Sequence, residues 1–166
     1  MIIRIDFNRR SQGHLMPDGS AVDLRTASRI QLRSSLFPGD LILRSEDADL
    51  STHSGIVSLL DMIVLLPRAY LRASTHGHAS FGFVDLDSLL HMESQGRSLQ
   101  VSATYTSDVI VGDKVQFFRS LLGFLDEHTG QLVDDYPELL DNPNFLEAMF
   151  GSPPWTGTKG RVDLDS

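Results

Sequence analysis

"SFGFVDLDSLLHMESQGRSLQVSATY", residues 80–105, holds the clearest local pattern in this 166-residue chain. Two apolar-polar alternating runs flank Gln95-Gly96, and a two-residue turn centred there predicts a β-hairpin at about 88–105. Met92 then faces Leu99, and Leu90 faces Val101, on one side of the ribbon. His91 faces Gln100, and Glu93 faces Ser98, on the other. Apolar pairs on one face and polar pairs on the other are what a half-buried antiparallel ribbon needs. "SFGFVD" predicts a further strand just before it. The strands do not alternate one by one with helices, so the expected fold is α+β, an antiparallel sheet with helices packed on one face.

Upstream, "IIRIDF" (Ile2 to Phe7) predicts a first strand, and Pro17-Asp18-Gly19 a turn. Residues 21–36 read two ways, since "RIQLR" alternates like a strand between uncertain ends. Pro38-Gly39 marks another turn, and "DLILRSE" (Asp40 to Glu46) a strand. From Ser54, the residues Ile56, Leu59, Leu60, Ile63, Leu66, Tyr70 and Leu71 recur at helical spacing. Thr52 or Ser54 is positioned to cap that helix, and Pro67 predicts a kink or break near Leu66. Downstream, "VGDKVQFFRSLLGFLDEHTG" predicts a helix that buries Val115, Phe118, Leu121, Leu122 and Leu125, widened by Phe117 and Phe124. Asp113 suits its start, and Thr129-Gly130 its end. Two short helices follow at Pro137 and Pro143, with Asn142 capping the second. The chain therefore reads as a single α+β domain over 1–150 with an extended C-terminal tail over 151–166.

Composition narrows the function classes. The chain is 41% hydrophobic and has no cysteine, which excludes disulfides, thiolate metal sites and cysteine nucleophiles. It has no secretory leader pattern and no apolar run of membrane-spanning length, so a cytoplasmic location with no membrane partner is expected. The net charge is −8, and its distribution is uneven. Residues 101–166 carry four basic against eleven acidic residues, so −7 of the −8 lies there. Between Arg119 and Lys159 the charged side chains are Asp126, Glu127, Asp134, Asp135, Glu138, Asp141 and Glu147, all acidic. Such a surface repels phosphate backbones, which argues against nucleic acid, and it steers cationic proteins.

Catalytic patterns are sparse. "THGH" places His76 and His78 one residue apart, as at the start of an H-x-H-x-D-H metal run, but Ser80 and Phe81 stand where Asp and His should follow. His76, His78 and Asp85 are the set that a small metal-dependent hydrolase would use. Asp85 and Asp87 form a D-x-D that a strand end explains. No G-x-S-x-G elbow and no phosphate-binding glycine loop occurs. The expectation is a non-enzymatic protein with no metal and no cofactor. A structural homo-oligomeric subunit is the other alternative, and the oligomeric state stays open.

The order of elements resembles a known family. "SGIVSLLDMIVLLPRAYLRA", "FGFVDLDSLLHMESQGRSLQVSA", "FFRSLLGFLDEH" and "LVDDYPELLDNPNF" together look like the small cytoplasmic immunity proteins of bacterial polymorphic-toxin systems, over residues 54–145. The resemblance implies a protein that binds a cognate toxin and blocks its active site by stoichiometric occlusion. It also implies an acidic binding surface suited to a cationic nuclease. On that reading Asp126, Glu127, Asp134, Asp135, Glu138 and Asp141 steer the partner, and Tyr136 and Trp155 anchor it.

Overall fold

The structure is a computed structural model that describes residues 2–10, 20–83 and 87–151. Pro17-Asp18-Gly19, His14, Asp85, Trp155 and the tail beyond Gly151 lie outside the described residues. The architecture is α+β, but the strands form two antiparallel sheets rather than one.

The first sheet has three strands in the order β1 (Arg4–Arg9), β2 (Pro38–Arg44) and β3 (Val57–Ser58). Ile5 lies opposite Leu43, and Phe7 opposite Leu41, so alternate residues of both strands enter the core. Gly39 is required where the strands close up: a Cβ there would collide with the Asn8 carbonyl and the Phe7 ring. Residues 29–33, which alternate like a strand, are helical instead, with a π-type turn over Gln31–Ser35. Ile30 is exposed while Leu32 and Leu36 are fully buried; alternation would put all three on one face, whereas a helical turn points Ile30 away from the other two.

Val57 and Ser58 pair with β2, so the following helix starts later than its apolar spacing predicts. Helix α1 (Leu59–His76) buries Leu59, Leu60, Ile63 and Leu66 but leaves Ile56 and Leu71 exposed. Thr52 does not cap it; its hydroxyl accepts from the Leu41 N–H at 2.9 Å and so belongs to the sheet. The helix runs through Pro67 without a break. Gly77, at φ 88°, ends it in the left-handed conformation that glycine adopts without Cβ strain.

The second sheet is a meander of β4 (His78–Gly82), β5 (Leu89–Gln95), β6 (Ser98–Ala103) and β7 (Val109–Asp113). The hairpin is present, but its turn is Gly96-Arg97 rather than Gln95-Gly96. Met92 consequently faces Val101, Leu90 faces Ala103 and Glu93 faces Gln100. Gly96 takes φ 57° and Arg97 does not, which puts glycine at the first central position, where a II′ turn needs it. Each partner moves two residues along β6, so the side-chain period of two keeps the same face buried. Strand β7 occupies residues assigned in part to the next helix, and its five residues pair with β6 over Ser98 to Ser102.

Helix α2 (Lys114–Asp135) is capped by Asp113, whose carboxylate accepts from the Val115 N–H at 2.8 Å. It continues past Thr129-Gly130, and its buried stripe is Phe117, Leu121, Phe124, His128 and Leu132. Val115, Phe118 and Leu122, expected inside, are exposed. A 3₁₀ turn over Pro137–Asp141 leads to α3 (Pro143–Phe150). Asn142 caps α3 by accepting from the N–H groups of Asn144 and Phe145. Helix α1 touches both sheets and α2, and one continuous core runs from Ile3 to Phe145. The other face of the four-stranded sheet, with His78, Ser80 and Glu93, is open to solvent.

Candidate functional site

The acidic residues group on the solvent side of the second half of α2 and on the turn after it. Asp126 and Asp134 share an i, i+4 row through Gly130, and Glu127 and Asp135 share the adjacent row through Gln131. All four are exposed. Asp141 on the 3₁₀ turn is exposed as well, and Glu138 is half-buried. The last turn of α2 contains no basic residue. Asp134 and Asp135 therefore sit at the negative end of the helix dipole, where each carboxylate costs about 0.3–1 kcal/mol.

Part of this charge is neutralised from far along the chain. Arg9 on β1 pairs with Asp135, Arg25 with Asp141 at 3.4 Å, and Arg29 with Glu147 at 3.8 Å. No local pattern in the sequence signals these contacts, which join segments more than 110 residues apart. Asp126, Asp134 and Glu138 make no ion pair among the described residues, and Glu127 only accepts from Gln131 at 3.3 Å. The unneutralised set is accordingly Asp126, Glu127 and Asp134, all exposed, and the half-buried Glu138.

Tyr136 is placed differently from a free anchor. It is half-buried, its ring lies 5.1 Å from that of Phe37, and the Arg9 guanidinium sits 5.7 Å over its face. Phe37 is fully buried and holds φ 56°, a left-handed backbone that few non-glycine residues adopt. Tyr136 thus closes the core edge beneath the acidic face. Trp155, the other expected anchor, lies outside the described residues.

The histidines are dispersed. His76 ends α1, with Nδ1 2.7 Å from the Thr75 hydroxyl, and His78 begins β4 on the exposed face, opposite Glu93. His91 pairs with Ser80 across the same face at 2.7 Å. His128 lies within α2 and is buried, with Nε2 3.0 Å from Asp6 and its ring against Phe7 and Phe124. Among the described residues no three His, Asp or Glu side chains gather where they could hold a metal. Asp85, the third member of the expected hydrolase set, lies outside them. An open depression of about 540 Å³ is lined by His78, Glu93, Ser94, Gln95, Ser98 and Gln100, and among the described residues no hydrogen bond joins the His78 ring to either serine or to Glu93.

Asp6 shows how β1 and α2 are joined. Burial alone would push its carboxyl up, but hydrogen bonds from Arg4, the Phe7 N–H and His128 outweigh burial and hold it below the ordinary value of 3.8. No helix among the described residues is long and apolar enough to cross a membrane. Compared with known protein families, curated proteins and solved structures, the chain matches none.

Proposed function

We propose that this chain is a non-catalytic, stoichiometric protein-binding module of the immunity type, which inhibits a cognate bacterial toxin by covering its active site. The observation that carries this reading is the row of exposed, unneutralised carboxylates Asp126, Glu127 and Asp134, continued by Glu138, on a helix whose last turn has no basic residue. Such a face accelerates encounter with a cationic cleft such as that of a nuclease, and it pairs with Lys or Arg around that cleft. Asp135 and Asp141 contribute less, because each already shares an arginine. Both pairs are surface pairs worth about 0–1 kcal/mol, so a partner arginine can displace either one at little cost.

Binding kinetics test the electrostatic element. The Asp126→Asn/Glu127→Gln/Asp134→Asn/Glu138→Gln variant should associate with the toxin about tenfold more slowly, and its rate should depend less steeply on salt. Equal association rates for variant and wild type at all salt concentrations would remove the acidic face from the mechanism.

A further inference from the structure

The molecule has a second face of opposite character, where the last turns of α1 meet the first turns of α2. The Tyr70 ring stacks 5.4 Å from Phe118, and its hydroxyl donates to the Lys114 carbonyl at 3.2 Å, which joins the two helices there. Around this junction Leu71 is 64% exposed, Val115 49%, Phe118 42% and Leu122 48%. Val115, Phe118 and Leu122 follow an i, i+3, i+7 spacing, a ridge about 10 Å long of the kind that packs against another helix. The cations here are also distinctive. Elsewhere, seven arginines form ion pairs with carboxylates, and Arg10 donates instead to the Ser54 carbonyl at 3.3 Å. Arg68, Arg72, Lys114 and Arg119 form none among the described residues, and all four lie on this stretch of α1 and α2.

We propose that this face is a docking surface for a short, acidic, amphipathic helical segment of a partner protein, distinct from the acidic face and independent of the toxin-inhibitor reading. The apolar ridge takes the segment's apolar stripe, and the four unpaired cations take its carboxylates. Geometry favours a short segment over an anionic membrane or a nucleic acid. Asp126 lies one helical turn beyond Leu122, about 6 Å along α2, which is inside the ~8 Å screening length at physiological salt. An extended anionic surface laid on the ridge would meet that carboxylate and Glu127, whereas a single helical segment crossing the ridge at about 50° does not. A second copy of the chain is disfavoured by the net charge of −8 that each copy carries.

The test titrates the full-length chain with a synthetic peptide of about four helical turns, leucines on one stripe and glutamates elsewhere, against a control carrying lysines in place of the glutamates. Saturable binding of the Glu peptide alone is expected. Arg68→Ala/Arg72→Ala and Leu71→Ser, all substitutions at exposed positions, should each weaken it about tenfold or more. Three outcomes would overturn the proposal: no preference for the Glu peptide, binding to phosphatidylserine vesicles that the same variants abolish, or a peptide-free dimer that they dissolve.

Discussion

Asn142 illustrates how far a single residue's role can be read from its neighbours. Its place before Pro143 identifies a helix cap, and its Oδ1 does accept from the first-turn N–H groups. Its Nδ2 also donates to the carbonyls of Leu24 and Ala27, at 2.7 and 2.9 Å, and those residues are more than 110 positions away. Local sequence contains nothing about that half of its function. Asn142→Ala should cost about 2–4 kcal/mol, because the cap is lost and the Leu24 carbonyl loses its donor, while Ala27 keeps only Asn144 at 3.2 Å. Asn142→Asp keeps the cap and loses the donors, so urea midpoints of the two variants separate the contributions. Asp6 gives a pH test at the same scale. Its folded-state value lies below 3.8, so its contribution is present above the unfolded value and is lost as pH falls through the folded one. Asp6→Asn should destabilise the protein by about 1–2 kcal/mol at pH 7, and the gap from wild type should shrink as the pH drops below about 3.8. Denaturant curves at pH 7 and pH 3 check this.

Helix α2 shows what periodicity can and cannot settle. Its existence and its Asp113 cap follow from the sequence, but its rotation does not. The set Val115, Phe118, Leu121, Leu122 and Leu125 is as apolar as the true stripe through Phe117, Leu121, Phe124 and Leu132. A polar group decides between them: His128 enters the core because Asp6 on β1 waits there at 3.0 Å. Tertiary packing likewise carries the helix past Gly130, since Leu132 beyond it is fully buried. Phe124→Ala should therefore cost about 3–5 kcal/mol and Leu122→Ala within about 0.5, a contrast that thermal unfolding of the two variants would show. Gly130→Ala should stabilise by roughly 0.5–1 kcal/mol, because a Cβ there meets nothing within 4 Å. The hairpin was legible for the same reason that its register error was harmless: a two-residue slip leaves every side chain on its own face.

For the molecule as a whole, the α+β class follows from the hairpin, whereas the division into two sheets rests on contacts that no short segment encodes. Tyr105, in the connection between β6 and β7, donates to the Leu50 carbonyl beyond β2 at 2.6 Å and so joins the two sheets. Burial, aided by nearby Asp49, pushes its hydroxyl up to about 12. The stability it contributes should be complete below pH ~10 and be lost as the pH rises towards 12, with tyrosinate absorbance lagging behind that of a Tyr105→Phe variant. Charge segregation is likewise a property of the whole. The acidic bias was readable by counting, but its neutralisation by Arg9, Arg25 and Arg29, and the cationic junction of α1 and α2, emerged only once distant segments met. The central claim is that the remaining carboxylates form an inhibitory face. Its most direct test is to combine the purified chain with the toxic product of a gene adjacent to its own, at ~0.15 M salt, and to measure toxin activity against added protein. The account predicts inhibition complete at a fixed stoichiometric ratio, with the Asp126→Asn/Glu127→Gln/Asp134→Asn/Glu138→Gln variant needing a clear excess. Full toxin activity at saturating wild-type protein, or equal inhibition by the variant, would contradict it.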